Sequence, residues 1–406
     1  MSTNTSANTS TSTNTSTRTG TGERRYRVIS ADGHLETPPD GWLRHIPAEH
    51  LDRAPRLVKL RTGGEGWIVE GMPMIHNGQN VAGGRPLKVL GGSYWDDDGT
   101  PVPGTGDAVQ RLREQDADGL DAEILYPPVF ITRFIENVED QDAYLAMVRA
   151  YNDWLAEDYC SVAPDRLIGN AVIPASGVDD AVAELKRASG LGLRSVCLGS
   201  FPNGTGTPAD EDDRFWEAAL ALDMPVTAHA TMGDRTHPLL VQSATGKFDL
   251  TLSMMSRTIP PPVLAMVQMV LSGVFDRIPE LRVYLAETNA SWMPGVLYMM
   301  DDSYRLFRHW YGVDLAKAPS EYVAEHLYFG IVRDPLALKM ADLLPAERLM
   351  WGSDFPHSVT SFPNSRHWLD EMFAGTSPGL RRRILLDNPC EYWRLDPDAA
   401  LTPTPV

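Results

Sequence analysis

Eight short runs rich in β-branched, aromatic and aliphatic residues recur along this chain, most of them separated by segments of helical periodicity, and this alternation constrains the fold most. The runs are Arg27–Ala31, Glu123–Tyr126, Leu167–Ile173, Arg194–Leu198, Pro225–His229, Arg282–Ala286, His326–Phe329 and Arg348–Gly352. Helical patterns fall at Asp142–Ala163, Val178–Ser189, Asp213–Leu222, Pro262–Phe275, Ser291–Arg308 and Pro335–Leu344. Such alternation implies parallel strands joined by crossover helices. Eight strands are also the number that closes a barrel.

Four of these runs end in groups that bind metals. In Val28–Glu36 the pair His34-x-Glu36 places two such side chains on one strand face. His229 ends the fifth run, Glu287 follows the sixth and Asp354 follows the eighth. Ligands converging from the first, fifth, sixth and eighth strands favour a closed barrel over an open sheet, because their C-terminal ends then share one rim. The expected fold is therefore α/β, a (β/α)8 TIM barrel. Imidazole and carboxylate together suit a divalent ion, zinc first and manganese second.

The rest of the chain bounds the reading. Residues Met1–Gly22 are almost entirely Thr, Ser, Asn and Gly, so this stretch reads as a disordered leader rather than a secretory signal. Residues 23–406 then form one domain, interrupted between Leu43 and Asp107 by a Gly- and Pro-rich insertion, about 44–106, with a hairpin-like pair around Gly66–Gly71 and Met72–Ile75. It follows the first strand on the side where barrel sites form, which suits a β-flap serving as lid or substrate wall. A second long loop, Thr231–Pro262, could wall the same pocket.

A formal charge of −18 argues against a nucleic-acid partner. No apolar stretch is long enough to span a bilayer. Cys160, Cys197 and Cys390 lie far apart without metal or disulfide spacing, and a reducing cytoplasmic setting is the simplest expectation. The methionines at 254, 255, 266, 269, 299 and 300 suit adaptable packing near a pocket or at a homodimer face.

The stretch Asp32-Gly33-His34-Leu35-Glu36 through Trp42, with Pro225–His229, Glu287 through Ser291-Trp292-Met293-Pro294, and Trp351-Gly352-Ser353-Asp354-Phe355-Pro356-His357, resembles the amidohydrolase superfamily. The likeness is to the branch containing aminocarboxymuconate-semialdehyde decarboxylase, and it runs from about Arg27 to Trp393. It implies that His34 and Glu36 fill the first-strand metal positions and His229 the fifth-strand one, while Asp354 coordinates the metal or accepts a proton from water. At the sixth strand, decarboxylases of this branch carry a catalytic His where this chain has Glu287.

Chemistry alone reaches a similar picture. A divalent ion activates water and polarises a carbonyl while a nearby carboxylate shuttles the proton, a role that Asp354 suits. Glu287 could act as a second base, an extra ligand, or the partner that orients His229. His357, three residues past Asp354, could touch substrate or orient that carboxylate. Arg133 and Arg333 follow the second and seventh strands, and either could anchor a substrate carboxylate or pair on the surface.

The expected activity is hydrolysis of a C–N or C–O bond in a small cyclic or aromatic molecule through metal-activated water. Non-oxidative decarboxylation is the alternative. A ligand-binding barrel that has lost catalysis is the third reading, and the intact ligand set speaks against it.

Overall fold

The structure is a computed structural model, and it describes residues 24–36, 40–61, 63–71, 75–76, 80–86, 92–128, 131, 134–229, 232 and 260–405. The leader, Arg133, Met254, Met255 and most of the loop 231–262 lie outside the described residues.

Eight parallel strands form one sheet: β1 (Ile29–His34), β5 (Ala122–Tyr126), β6 (Leu167–Val172), β7 (Ser195–Leu198), β8 (Val226–Ala228), β9 (Val283–Leu285), β10 (Leu327–Ile331) and β11 (Leu349–Trp351). They are hydrogen-bonded in that order. The last returns to the first, since Asp354 N donates to Asp32 O at 2.9 Å and His34 N to Phe355 O at 2.7 Å. The result is the expected (β/α)8 barrel. Among the described residues no helix is long and apolar enough to cross a membrane.

Alternation within the strands divides the interior. Leu125, Val196, Val283, Phe329 and Trp351 point outward and join the large cluster shared with the helices. Ile29, Ala122, Ile124, Tyr126, Ile168, Cys197, Tyr284, Tyr328 and Met350 form the second cluster, which fills the barrel. Tyr392 and Trp393 close its N-terminal end, donating to Val226 O (2.5 Å) and Ser195 Oγ (3.0 Å). The bottom of the barrel is thus sealed by side chains, and the rim at the strands' C-terminal ends is left for chemistry.

Several elements depart from the sequence reading, each for a local reason. The first strand runs on to His34 rather than ending at Ala31, and its pairing with β5 slips by one residue between Ser30 and Gly33. The helix expected over 262–275 breaks at Gly273, whose φ of 73° ends Pro261–Leu271 before Val274–Arg277 begins. The helix expected over 291–308 runs instead from Met293 to Tyr311 and stops where Gly312 adopts φ 67°. The insertion adds β2 (Arg56–Lys59), β3 (Glu65–Ile68) and β4 (Ile75–His76), an antiparallel sheet in the order β2-β3-β4.

The barrel seam carries a buried ion pair that sequence reading missed. Helix Ala108–Asp118, N-capped by Asp107, presents Arg111 to the gap between β1 and β11. Arg111 binds Glu123 of β5 through Nε (2.7 Å) and Nη2 (3.1 Å). Its remaining donors reach His34 O (3.0 Å) and Phe355 O (3.2 Å). Gln115 Nε2 donates to the same carboxylate at 2.9 Å. Removing one partner of such a pair leaves an uncompensated buried charge, a loss of about 3–5 kcal/mol. Glu123→Ala should therefore lower the urea midpoint sharply, whereas an exposed change such as Arg214→Ala should leave it nearly unmoved. A Glu123→Ala protein with wild-type stability would remove the seam from this role.

Candidate functional site

β1 positions the first two groups that could hold a metal ion. Ile29 pairs with Ala122 and His34 with Tyr126, so six residues on β1 are matched to five on β5 and one extra residue is absorbed between them. This bulge brings both Asp32 and His34 to the rim side of the barrel. Gly352 of the eighth run permits the approach, because a Cβ there would lie 2.3 Å from Asp32 Cβ. His229 follows β8, Glu287 follows β9 and Asp354 follows β11.

Two overlapping groups of possible ligands result: Asp32, His34, His229 and Glu287, and His34, Asp354 and His357, each with its ligand atoms within 4.8 Å of one another. His34 Nε2 lies 3.3 Å from Asp32 Oδ1 and 3.2 Å from Asp354 Oδ1. His229 Nε2 lies 3.4 Å from Asp32 Oδ1 and 3.9 Å from Glu287 Oε2. Two atoms bonded to one ion at about 2.1 Å stand roughly 3.0–3.4 Å apart at octahedral to tetrahedral angles. Both Asp32 oxygens, His34 Nε2 and Asp354 Oδ1 are buried without a hydrogen-bond partner. Orphaned buried polar atoms at these separations fit a divalent cation.

Glu36 lies elsewhere than the sequence pairing implies. It sits two residues beyond the end of β1, outside both convergent groups, and its Oε1 is 3.1 Å from His357 Nε2. The other ring nitrogen of His357 is 3.2 Å from Asp354 Oδ1, and the ring stacks on His34 with centroids 3.8 Å apart. Glu36, His357 and Asp354 therefore form one chain of polar contacts. Asp32, which sequence reading passed over, takes the first-strand place beside His34. Its signal was present, since Asp32, His34 and Glu36 are all two residues apart.

Arg333 is exposed, donates to Thr360 O at 2.6 Å and stacks on Trp368 at 4.1 Å. Its head is thereby engaged outside the ligand groups.

The backbone is bent to aim the acids. Glu287 and Asp354 hold φ values of 51° and 52°, a left-handed conformation that costs a residue with a side chain about 1–2 kcal/mol. By alternation with the inward Tyr284 and Ala286, Glu287 should point away from the lumen, and the left-handed turn brings it back. Asp334 holds this turn by accepting from Ala290 N (2.7 Å) and Ser291 N (2.8 Å).

Electrostatics separates the carboxyl groups. Burial pushes the Glu287 carboxyl up to about 8, reinforced by the charges of Asp354 and Asp32, although the side chain keeps 31% exposure. Burial also raises Asp354 and Asp32, but their imidazole neighbours outweigh it and hold both below the ordinary carboxylate range. Burial lowers His229. The same burial acts on His357, yet Asp354 and Glu36 overcome it and hold the ring well above its usual value, as an imidazolium.

A family model described as Amidohydrolase matches residues 103–395. Over 381 residues the chain is 23% identical to 2-amino-3-carboxymuconate-6-semialdehyde decarboxylase of Dictyostelium discoideum, spanning 92% of this chain and 94% of that protein. The fold is similar to that of amidohydrolase map2389c from Mycobacterium avium subsp. paratuberculosis, with a TM-score of 0.69 and 18% identity over 91% of this chain and 99% of that one. It is also similar to a 5-carboxyvanillate decarboxylase from Novosphingobium aromaticivorans complexed with manganese and 4-hydroxy-3-methoxy-5-nitrobenzoic acid. There the TM-score is 0.62, with 17% identity over 91% of this chain and 96% of that one. With a family model matched across most of the chain and a barrel whose rim gathers these ligands, the chain belongs to the amidohydrolase family, in its aminocarboxymuconate-semialdehyde decarboxylase-like branch.

Proposed function

We propose that this chain catalyses metal-dependent, non-oxidative decarboxylation of a small aromatic or unsaturated carboxylate. The observation that carries the reading is the end-to-end likeness, over 92% of this chain and 94% of the relative, to a protein named as a decarboxylase. Decarboxylation thereby moves ahead of the hydrolysis expected from sequence.

The residues support the same chemistry. Loss of carbon dioxide breaks the bond to the carboxyl carbon, leaves the electron pair on the substrate carbon and needs a proton delivered there. Glu287 suits that delivery, because a carboxyl pushed up to about 8 keeps its proton at neutral pH and its exposure allows reprotonation from solvent. It stands where decarboxylases of this branch carry a catalytic His, so a carboxylic acid would replace an imidazolium as donor. Asp354 is paired with an imidazolium and held low, which makes it a weak acceptor of a water proton and a strong anionic ligand. His357, fixed between Asp354 and Glu36, orients the first of these carboxylates.

Asp32, His34, His229 and Asp354 would hold the cation, with Glu287 beside them. When bound, a divalent ion would grip substrate oxygens and stabilise negative charge there. The carboxylate share of this donor set favours manganese over the zinc expected first from sequence, since oxygen ligands suit manganese. The manganese in the similar 5-carboxyvanillate decarboxylase supports that order.

Two experiments test the proposal. For the metal, Asp32→Asn and His229→Ala should each reduce bound manganese or zinc to well below one equivalent by elemental analysis, with an unchanged far-ultraviolet spectrum. Glu36→Gln should retain the metal, and full occupancy in Asp32→Asn would remove that residue from the ligand set.

For the reaction, metal-loaded enzyme incubated with hydroxylated aromatic acids in labelled water should release carbon dioxide and place deuterium on the vacated carbon. The rate should fall as pH rises through the Glu287 value, which a bound cation would draw down from about 8, because the donor is the protonated form. Glu287→Gln should abolish that limb and lower kcat by about 10²–10⁴-fold. Oxygen-18 entering a new carboxylate from cyclic amides or lactones, with no carbon dioxide released from any acid, would restore hydrolysis.

A further inference from the structure

The foot of the barrel holds a cavity of about 490 Å³, at the opposite end from the rim groups. Arg282, which precedes β9, and Arg348, which precedes β11, line it together with Tyr328, Met224, Leu281 and Leu220. Both arginines are partly buried, and among the described residues their bonds go to neutral groups only. Arg282 Nη1 donates to Pro279 O and Leu281 O, each at 2.8 Å, and lies 3.0 Å from His326 Nδ1. Arg348 donates through Nε to Ala324 O (3.0 Å) and through Nη1 to Tyr328 Oη (2.6 Å), with its guanidinium 4.8 Å from the Tyr328 ring. These bonds pin the two heads and leave Nε and Nη2 of Arg282 and Nη2 of Arg348 without an acceptor among the described residues.

We propose that this cavity binds a phosphoryl dianion, as inorganic phosphate or as the phosphate of a small monoester, held between Arg282 and Arg348. Two cations that share one cavity wall without a carboxylate partner focus a positive field there. Their proximity shows in Arg282, whose guanidinium is held below its ordinary value by burial first and by the Arg348 charge second. A carboxylate ligand would balance one of these charges, whereas a phosphate monoester carries about −1.5 to −2 at neutral pH and balances both. Planar guanidinium forks also suit phosphate oxygens. The cavity is of the size that takes a small molecule, and Met224, Leu281 and Leu220 supply an apolar wall for a short organic part.

The other charged groups nearby do not replace such a ligand. Asp223 on the cavity wall is bound by Arg394 Nη2 at 2.8 Å, and Glu325 is paired with Lys317. Glu280 and Glu391, also on the wall, are exposed, where water and salt screen them. Arg348 caps the last turn of the helix Pro319–His326 through Ala324 O, but that engages Nε alone. In the sheet order β9-β10-β11, an anion held by both arginines ties the feet of the two strands that lead to Glu287 and Asp354.

Calorimetric titration of the full-length, metal-loaded protein with inorganic phosphate and with glycerol 3-phosphate tests the site. One equivalent should bind, and Arg282→Gln should weaken it by about tenfold or more. Leu220, 39% exposed on the cavity wall, offers variants that remove no existing hydrogen bond. Leu220→Glu should weaken binding by a similar factor with an unchanged far-ultraviolet spectrum, and Leu220→Lys should tighten it. Asp32→Asn, which disturbs the rim, should leave the affinity unchanged. Tighter binding of the monoester would assign the organic part to the apolar wall, and tighter binding of inorganic phosphate would assign the free ion; either order supports the site. The proposal is overturned if neither anion binds, if acetate binds as tightly as phosphate, if Leu220→Glu leaves the affinity where it was, or if Asp32→Asn abolishes it.

Discussion

The site depends on the Arg111–Glu123 pair at the barrel seam. A parallel barrel must bring its last strand back to its first, and here that junction consists of few backbone bonds beside an isolated bridge from Gly33 to Phe355. Arg111 spans it from behind, with donors to the carbonyls of His34 and Phe355 and two more to Glu123. A charge this deep needs acceptors around it, and each of the three Arg111 nitrogens has at least one. Gly33 is part of the same device, because a Cβ there would stand 2.7 Å from Arg111 Nη2 and 2.8 Å from Glu123 Oε1. The glycine between Asp32 and His34 therefore admits the guanidinium that fixes the carbonyl of His34.

From that seam outward, the site is an arrangement of acids kept in different states by their surroundings. Asp32 and Asp354 face imidazoles and are held below the ordinary carboxylate range, whereas burial, reinforced by two carboxylates, pushes Glu287 up. Like charges this close cannot all persist without a cation, and the imidazoles supply only part of what is needed. The left-handed turns at Glu287 and Asp354 follow the same logic. A strained backbone aims two acids at one point, and the strain is sustained by Asp334 on one side and by the pairing of Asp354 N with Asp32 O on the other.

The barrel was legible because strand and helix periods alternate, and the rim was legible because His229, Glu287 and Asp354 each end such a run. The two-residue spacing of Asp32, His34 and Glu36 puts all three on one face, but the slip between Ser30 and Gly33 that turns Asp32 and His34 to the rim is not written in that spacing. A bulge depends on what the neighbouring strand offers, which no property of Val28–Glu36 itself records. Arg111 escaped notice for a related reason: on its own helix it is one charged residue among several, and only tertiary packing buries it against Glu123. Glu287 could be placed but not assigned, since its proton affinity is raised by burial and by Asp354 and Asp32, all of which only tertiary packing supplies.

The insertion after β1 is joined to these parts through the segment beyond β11. Its residues reach the segment beyond β11: Gly83 N donates to Pro356 O at 2.8 Å, and a Cβ on Gly104 would stand 2.3 Å from Pro356 Cβ. Pro356 is the neighbour of His357, which holds Asp354 and Glu36. Within the insertion, Trp67 Nε1 donates to Tyr94 Oη at 2.7 Å, Tyr94 N to Glu65 Oε2 at 3.1 Å and Thr105 Oγ1 to Tyr94 O at 2.7 Å, so the small sheet is tied through buried polar contacts to the loop of Gly104 that meets Pro356. A change of shape in the insertion would therefore reach His357 through one backbone contact. The insertion and the orientation of Asp354 are thus linked through Pro356 and His357, whereas Asp32 and His34 rest on the seam beside Arg111.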